Sequence, residues 1–407
     1  MALDRDTLEL LLATIGRFAT ERLLPIEARV CETRQVPPDI VAEMRRLGLF
    51  GLSIDERYGG LGLNMEEQVL VTFEISRAAP AFRSVFGNNI GVTSQCIASG
   101  GTEEQRERYL PPLASGELIG CFCLTEPDAG SDARSLRTSA RRDGDSYVFN
   151  GTKRYITNAA SAGLYVVMAR TGQGKEADDI SCFLIERGTP GVSIGPLDRK
   201  MGMDGMETCD VIFENCRVPA TALLGGVEGN GFRTSLSSID KGRLNVAAMC
   251  VGVADRLIRD MVRYAMERRQ FGEPIANFQL IQAMIADSQA EAYAARTMVL
   301  DAARRRDAGE RVTQQAACAK LFASEMVGRV ADRAVQVHGG AGYMADYAVE
   351  RLYRDVRLFR IFEGTSQIQQ LVIARETIKA ATRDSRTREG ARRALPLASG
   401  GKAPHQG

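Results

Sequence analysis

The sequence predicts an α+β protein in which a β domain lies between two helical domains. Apolar residues recur at three- and four-residue spacing towards both ends of the 407-residue chain, which is typical of amphipathic helices. In the middle, short runs rich in β-forming residues alternate with turn residues. The chain is too long for one small core and contains no internal repeat, so we expect three domains.

The N-terminal helical domain is predicted to cover residues 1–119. Apolar residues follow helical spacing from Asp4 to Val30, and a second amphipathic stretch runs from Pro38 to Leu49. A third stretch, from Glu66 to Ala79, follows a glycine-rich turn.

The middle domain, residues 120–225, is predicted to be all-β. Its strand candidates are Cys121–Leu124, Tyr147–Phe149, Tyr165–Ala169, Cys182–Glu186 and Asp210–Phe213. Within it, residues 172–177 match the letters of a dinucleotide-binding glycine motif, but a second strand follows them instead of a helix. We therefore interpret this segment as a polar hairpin loop.

Helical periodicity returns in the C-terminal domain, residues 226–383. One helix is marked by Leu257 to Ala265, and a longer one by Ile281 to Val299. The last residues, 384–407, are basic and then rich in Gly, Ser and Pro, so we expect a disordered tail.

Composition excludes several classes of function. Lys and Arg number 52 and Asp and Glu 51, so no overall field would attract nucleic acid or an anionic membrane. The chain has two histidines, and because His405 lies in the predicted tail, a zinc site or a Ser-His-Asp triad would depend on His338 alone. We expect no metal site, and chemistry that depends on carboxylates or a cofactor.

The cysteines and the N-terminal segment indicate the compartment. The nine cysteines have no C-x-x-C spacing and lie mostly in apolar context, which favours buried free thiols in a reducing environment. The N-terminal segment has the pattern of neither a signal peptide nor a transit peptide, and no apolar stretch is long enough to span a membrane. We expect a cytoplasmic protein.

Three clusters of small residues are candidates for function. In Thr125–Asp132, Gly130 and Ser131 would let backbone N–H groups approach an anion, although on spacing alone a capped surface turn is the simpler interpretation. The cluster Gln336–Gly342 lies between two helices. In the third cluster, Glu363 follows apolar residues, and burial would raise its pKa to suit a general base, whereas an exposed helix-start carboxylate is the alternative.

Together the clusters resemble the acyl-CoA dehydrogenase family over residues 5 to 380. The motifs that carry the resemblance are Cys123–Asp132, Gly151–Thr157, Glu267–Gly272, Gln336–Tyr343 with Arg354-Asp355, and Glu363–Gln367. The resemblance implies a flavoenzyme with an N-terminal helical domain, a middle β-barrel and a C-terminal four-helix bundle, with FAD between the last two. It also implies a homotetramer.

The resemblance also implies the cofactor-binding residues. In the β domain and before the last helix they are Phe122, Leu124, Thr125, Gly130, Ser131, Tyr155, Ile156, Thr157, Thr365 and Gln367. Further cofactor-binding candidates, most of them at positions that a neighbouring subunit supplies in this family, are Arg268, Phe271, Gln279, Gln336, Gly339 and Gly340. The family usually has Trp where this chain has Tyr155, so flavin exposure and potential are expected to differ.

The implied reaction is α,β-dehydrogenation of an acyl-CoA thioester to a trans-2-enoyl-CoA. Glu363 would abstract the α-proton while the β-hydrogen leaves as hydride to flavin N5, and an electron-transferring flavoprotein would accept the electrons. Some relatives carry the catalytic Glu at the position of Gly242, which has no side chain here, so we expect Glu363 to be the only base. The implied substrate contacts are Ser131, Asp240, Arg243, Gly364 and Arg83.

Alternatives remain for three features. Arg83 falls where glutaryl-CoA dehydrogenases carry an arginine for the distal carboxylate, whereas a surface or interhelical salt bridge is the alternative. His338 is expected to be a packed polar residue and not a catalytic histidine. The fold also hosts acyl-CoA oxidases and a DNA-associated flavoprotein. For the latter, the basic run 383–393 would be the nucleic-acid surface, whereas a solvated tail is the simpler interpretation of that run.

Overall fold

The computed structural model describes residues 3–172, 174 and 177–394, with the side chains of all of these except 177, 236, 237 and 383–394. Helical, β and helical segments follow one another in the predicted order, which confirms the fold class. The N-terminal helices are α1 (Arg5–Phe18), α2 (Glu27–Thr33), α3 (Pro38–Arg46), α4 (Met65–Ile75), α5 (Pro80–Asn88), α6 (Ser94–Gly100) and α7 (Glu103–Ser115).

The middle of the chain forms one curled sheet. Its strands are β1 (Gly120–Cys123), β2 (Ser139–Asp143), β3 (Ser146–Thr157), β4 (Leu164–Arg170), β5 (Ile180–Glu186), β6 (Val192–Ile194) and β7 (Thr208–Pro219). The order is β1-β4-β2-β3-β7-β6, with β5 also paired to β4. Most pairs are antiparallel, but β4 runs parallel to both β1 and β2.

The sequence missed two strands of this sheet, β2 and β6. Strand β2 reads Ser-Ala-Arg-Arg-Asp and exposes every residue except Ala140, so it lacks the apolar alternation that marks a half-buried strand. Strand β3 continues beyond its predicted end at Phe149 and stays paired to β7. Irregularities between Phe149 and Gly151 and between Lys153 and Ile156 shift its register.

The C-terminal part is a bundle of long helices. Its elements are α8 (Gly231–Glu267), the hairpin β8 (Arg269–Gln270) and β9 (Glu273–Pro274), α9 (Gln279–Asp307), α10 (Thr313–His338), α11 (Ala348–Val356) and α12 (Ser366–Ala394). Helix α10 packs on α8, α9 and α12 through a core rich in alanine. Helix α12 continues through residues 384–394, where the sequence predicted disorder, and residues 395–407 lie outside the described residues.

Helix α4 joins the N-terminal and C-terminal domains. Asn64 and Glu67 form a capping box at its start, with reciprocal hydrogen bonds of 2.9 and 2.8 Å. From the end of α9, the Asp307 carboxylate accepts from the N–H groups of Met65 and Glu66 at 2.8 and 2.9 Å. A carboxylate from another domain therefore satisfies helix donors that the chain cannot satisfy locally.

Helix α5 is fastened to the end of β3. The Asn88 side chain donates to the Thr157 carbonyl at 3.1 Å, and the Asn158 side chain donates to the Ser84 carbonyl at 2.9 Å. These bonds place the N-terminal domain beside the last residues of β3, where the cofactor contacts are predicted.

All nine cysteines are free, and seven are buried, as predicted. None of the helices in the described part of the chain is long and apolar enough to cross a membrane. Within the same residues, no three His, Cys, Asp or Glu side chains are grouped as metal ligands.

Candidate active site

Glu363 lies in a loop between a 3₁₀ turn (Arg357–Arg360) and α12. Its φ of 53° and the φ of 86° at Gly364 put two consecutive residues in the left-handed region, which a residue other than glycine rarely adopts. The Gln369 side chain donates to both carbonyls, at 3.2 Å for Glu363 and 2.9 Å for Gly364. Surrounding contacts therefore hold an unfavourable backbone conformation at the predicted base.

Three cations interact electrostatically with the Glu363 carboxylate. The residue as a whole is accessible to solvent, yet the protein around its carboxylate desolvates that group and raises the pKa of Glu363 above its ordinary value. Lys320, Arg83 and Arg243 oppose that shift, because each favours the ionised form. This environment suits a carboxylate that takes up a proton near neutral pH.

Gly242 on α8 faces the same carboxylate. A Cβ at this position would lie 2.7 Å from Glu363 Oε2, so the missing side chain provides the space that Glu363 occupies. One residue further along, Arg243 is paired with Asp240 at 3.0 Å, and Asp240 also accepts from Thr313 at 2.8 Å. The predicted substrate-contacting stretch is therefore beside the predicted base.

Arg83 is buried without a partner. It is 9% exposed, makes no ion pair within 4 Å in the described part of the chain, and leaves Nε and Nη2 without hydrogen bonds. Its guanidinium lies 5.9 Å from the Phe86 ring centre, and burial lowers the pKa of Arg83 to about 10. The alternative of a surface or interhelical salt bridge is therefore wrong.

A buried ion pair shapes the turn after β1. Lys153 on β3 is fully buried and donates to Glu126 at 2.7 Å, while the Arg154 N–H donates to the Thr125 carbonyl at 2.8 Å. Tyr155 follows with a φ of 57° and is 62% exposed. The turn and an open aromatic side chain are thus held next to each other.

The remaining predicted β-domain residues lie on the same two stretches. Phe122 is on β1, Leu124 directly follows that strand, and Ile156 and Thr157 are the last two residues of β3. Thr365 accepts from the Ile368 N–H at 3.2 Å before α12, and Gln367 is exposed in the first turn of that helix.

A second group of predicted residues is exposed and separate. Among described contacts, no hydrogen bond or ion pair joins any of its members to Glu363; the group consists of Arg268, Phe271, Gln279, Gln336, Gly339 and Gly340. Phe271 is 96% exposed with a φ of 51° at the tip of the β8–β9 hairpin. The exposure of these residues leaves them available to contact another molecule.

His338 is a packed residue, as predicted. Its ring is buried, lies 4.2 Å from the Tyr264 ring in a stacked arrangement, and bonds through Nδ1 to the Ala334 carbonyl at 2.8 Å. Burial lowers the pKa of His338, which favours the neutral ring.

Comparison with known proteins identifies all three segments. Residues 5–117 match the N-terminal domain of acyl-CoA dehydrogenases, residues 121–216 the middle domain and residues 229–378 the C-terminal domain. The chain belongs to the acyl-CoA dehydrogenase family. It is an FAD-dependent oxidoreductase that acts on acyl-CoA thioesters.

Individual relatives match this chain over most of the length of both proteins. Acryloyl-CoA reductase (NADH) of Anaerotignum propionicum is 42% identical and covers 91% of this chain and 94% of its own. Butyryl-CoA dehydrogenase from Megasphaera elsdenii superposes with a TM-score of 0.89 at 34% identity, covering 93% and 100%. Glutaryl-CoA dehydrogenase in complex with glutaryl-CoA gives a TM-score of 0.87 at 33% identity, covering 93% and 96%.

The residues present fit the FAD of this family. In the described part of the chain, the backbone N–H groups of Gly130 and Ser131 have no protein acceptor, so they are available to an anion such as a pyrophosphate. The open ring of Tyr155 next to this turn offers an apolar plate for a planar ring system. Both features are what a flavin nucleotide requires.

Sequence reasoning missed Lys320. It lies on α10 with its side chain fully buried, and its Nζ donates to the Gly364 carbonyl at 2.8 Å. The sequence signal that could have revealed its burial is helical spacing. Lys320 lies on the same face of α10 as the buried residues Ala316 and Ala323. A lysine on an apolar face of a core helix is a candidate for a function.

Substituting Gly242 by alanine is expected to lower kcat/KM about tenfold without loss of stability. The new methyl group would displace the Glu363 carboxylate, and small misplacements of a reacting group are costly. The carboxylate is the far end of a flexible side chain, and alanine favours a helix by about 0.5–1 kcal/mol, so the melting temperature should not fall. Steady-state kinetics and thermal unfolding test this, and unchanged kinetics would contradict the assigned contact.

Proposed function

We propose that this enzyme dehydrogenates acyl-CoA thioesters whose acyl tail is polar or carries a carboxylate, with Glu363 as the only base. The observation that carries the proposal is Arg83, a buried guanidinium without an ion-pair partner that interacts electrostatically with Glu363. An unpaired buried cation is costly, and a substrate anion would compensate it.

The charges around Glu363 favour an anionic substrate group. The positive charge of Arg243 is balanced by the carboxylate of Asp240. The positive charges of Arg83 and Lys320 therefore face only the one negative charge of Glu363. Among the described residues, Arg83, Lys320 and Glu363 together therefore carry one positive charge in excess. A carboxylate at the distal end of the acyl chain is the group that would balance it, and the relative solved with glutaryl-CoA binds such a substrate.

Glu363 has two tasks in the proposed reaction. Its carboxylate removes the α-proton, and its backbone N–H, which has no acceptor in the described residues, is free to donate to the thioester oxygen as negative charge develops. Gly364 has no side chain to obstruct the thioester. FAD, when bound, supplies the acceptor for the hydride that leaves the β-carbon.

The direction of the reaction and the electron acceptor belong to the proposal. One relative is a reductase, which forms the same saturated bond from an enoyl thioester. We propose the dehydrogenase direction with an electron-transferring flavoprotein as acceptor. The oxidase and DNA-associated alternatives are not favoured by the relatives, and the basic run 383–393 lies outside the described side chains.

The exposed second group supports a homotetramer. A phenylalanine that is 96% exposed at a hairpin tip, together with exposed Tyr343 and Leu280, is typical of a surface that another subunit covers. We propose that the group completes the FAD site of a neighbouring subunit. Nine free cysteines are typical of a reducing compartment, so the proposed location is the cytoplasm.

Anaerobic titration with butyryl-, isobutyryl- and glutaryl-CoA tests the function. Bleaching of the flavin absorbance by glutaryl-CoA, stronger than by the aliphatic thioesters, is the expected result. A purely aliphatic preference would refute the substrate class, and no bleaching by any saturated thioester would refute the direction. Repeating turnover in air without an artificial acceptor separates an oxidase from a dehydrogenase.

A further inference from the structure

Lys320 is the one fully buried lysine of the described residues that has no carboxylate within 4 Å. Lys153, the other fully buried lysine, is paired with Glu126, and Glu325 on the helix of Lys320 is occupied by Arg360 at 3.2 Å. Burying an ammonium without a counterion is costly, so an isolated buried lysine needs a compensating role.

The hydrogen bond of Lys320 is made to the loop that carries the base. Its Nζ donates to the Gly364 carbonyl at 2.8 Å, and the Gln369 side chain donates to the same oxygen at 2.9 Å. A charged donor on a carbonyl is stronger than a neutral one. Two donors, one of them charged, therefore fix the peptide between Gly364 and Thr365, one residue beyond Glu363.

The ammonium also acts on the Glu363 carboxylate. Of the cations facing it, which are Lys320 on α10, Arg83 on α5 and Arg243 on α8, Lys320 opposes the desolvation of Glu363 most strongly. Lys320 itself faces Cys250 and Arg243 on α8 and Glu325 on α10, and burial lowers the pKa of Lys320 to about 8, so it remains charged below that pH.

We propose that Lys320 is a positioning residue, whose ammonium holds the left-handed turn at Glu363 and Gly364 and keeps the Glu363 carboxylate ionised for proton abstraction. Removing the charge leaves the base in place but less acidic, so it protonates at a higher pH. The inference rests on the proposed role of Glu363.

The test uses the holoenzyme with Lys320→Met, which replaces the ammonium by an apolar group of similar length. The variant should bind FAD and unfold near the wild-type temperature, because an apolar side chain suits the buried site. Its kcat should fall about tenfold or more, with a smaller change in KM. The acidic limb of its kcat/KM profile should move to higher pH by about one unit.

Two further lysine variants separate charge from packing. Lys320→Arg keeps the cation, so its acidic limb should stay near the wild-type pH even where kcat falls. Lys320→Gln is neutral and should show the same limb shift as the methionine variant, which keeps the test available if the latter does not fold. Lys200→Met is the matched control, since Lys200 also donates to a backbone carbonyl, that of Met206 at 2.7 Å, away from Glu363.

Each result has one interpretation. An unshifted limb in both neutral variants overturns the inference, even if kcat falls, because a purely structural role lowers rates without moving the limb. The proposed role of Glu363 is tested separately by Glu363→Gln. If that variant is inactive while the neutral Lys320 variants keep the wild-type profile, only the inference about Lys320 fails.

Discussion

Glu363→Gln is expected to fold, bind FAD and lose nearly all turnover, by about 10²- to 10⁴-fold in kcat. Glutamine preserves the size of the side chain and the backbone N–H, so only the proton acceptor is lost. Flavin absorbance measures retained FAD, and steady-state turnover with an artificial acceptor measures the loss. Substantial residual dehydrogenation would show that another group removes the α-proton.

Glu376→Gln is the matched control for this substitution. Glu376 is a carboxylate on α12 that pairs with Arg311, Arg375 and Lys379, and no described interaction couples it to Glu363. Its amide variant should retain wild-type turnover.

In the wild type, activity should rise with pH through the raised pKa of Glu363, because only the ionised carboxylate accepts a proton.

Arg83→Ala is expected to lower kcat/KM for glutaryl-CoA by about a hundredfold and to change that for butyryl-CoA only a few-fold. Removing one partner of a buried charge pair costs binding free energy only where the substrate supplies the other partner. Parallel kinetics on the two thioesters measure the difference. Equal losses on both substrates would mean that Arg83 serves the base or the fold and not the acyl tail.

Two variants control this experiment. Arg83→Lys keeps the charge but not the planar fork, so it should recover part of the glutaryl-CoA activity. Arg45→Ala removes another arginine of the N-terminal domain that stands over a phenylalanine, Phe50, and bonds a backbone carbonyl, that of Gly116. Arg45 is not coupled to Glu363, and its loss should leave the substrate preference unchanged.

The sequence predicted the fold class because its periodicities are strong where the elements are long. It failed at β2, whose charged residues follow no alternation, and at the long β3, whose bulge interrupts the pattern. It also ended α12 before residue 384, since a basic run rich in Arg lacks the apolar stripe by which a helix is recognised, although the helix continues to Ala394.

Residue identity was enough to predict the base, but not its surroundings. The letters around Glu363 do not show that its backbone is left-handed or that three cations from three different helices converge on it. The pairing of Arg83 was likewise undecided from sequence, because whether a carboxylate lies within reach depends on tertiary packing. Lys320 carried a local signal, its position on an apolar helical face, but its acceptor lies 44 residues away.

Gly242 and Glu363 have a joint consequence for how the active site could be rearranged. A Cβ on α8 would meet the Glu363 carboxylate at 2.7 Å, so a side chain at position 242 and the Glu363 side chain would compete for the same space. Two carboxylates there would repel each other, and one would remain protonated. Moving the acid to α8 therefore requires Gly242→Glu together with Glu363→Gly. That exchange would also return the backbone at 363, with its φ of 53°, to the one residue that adopts such an angle without strain.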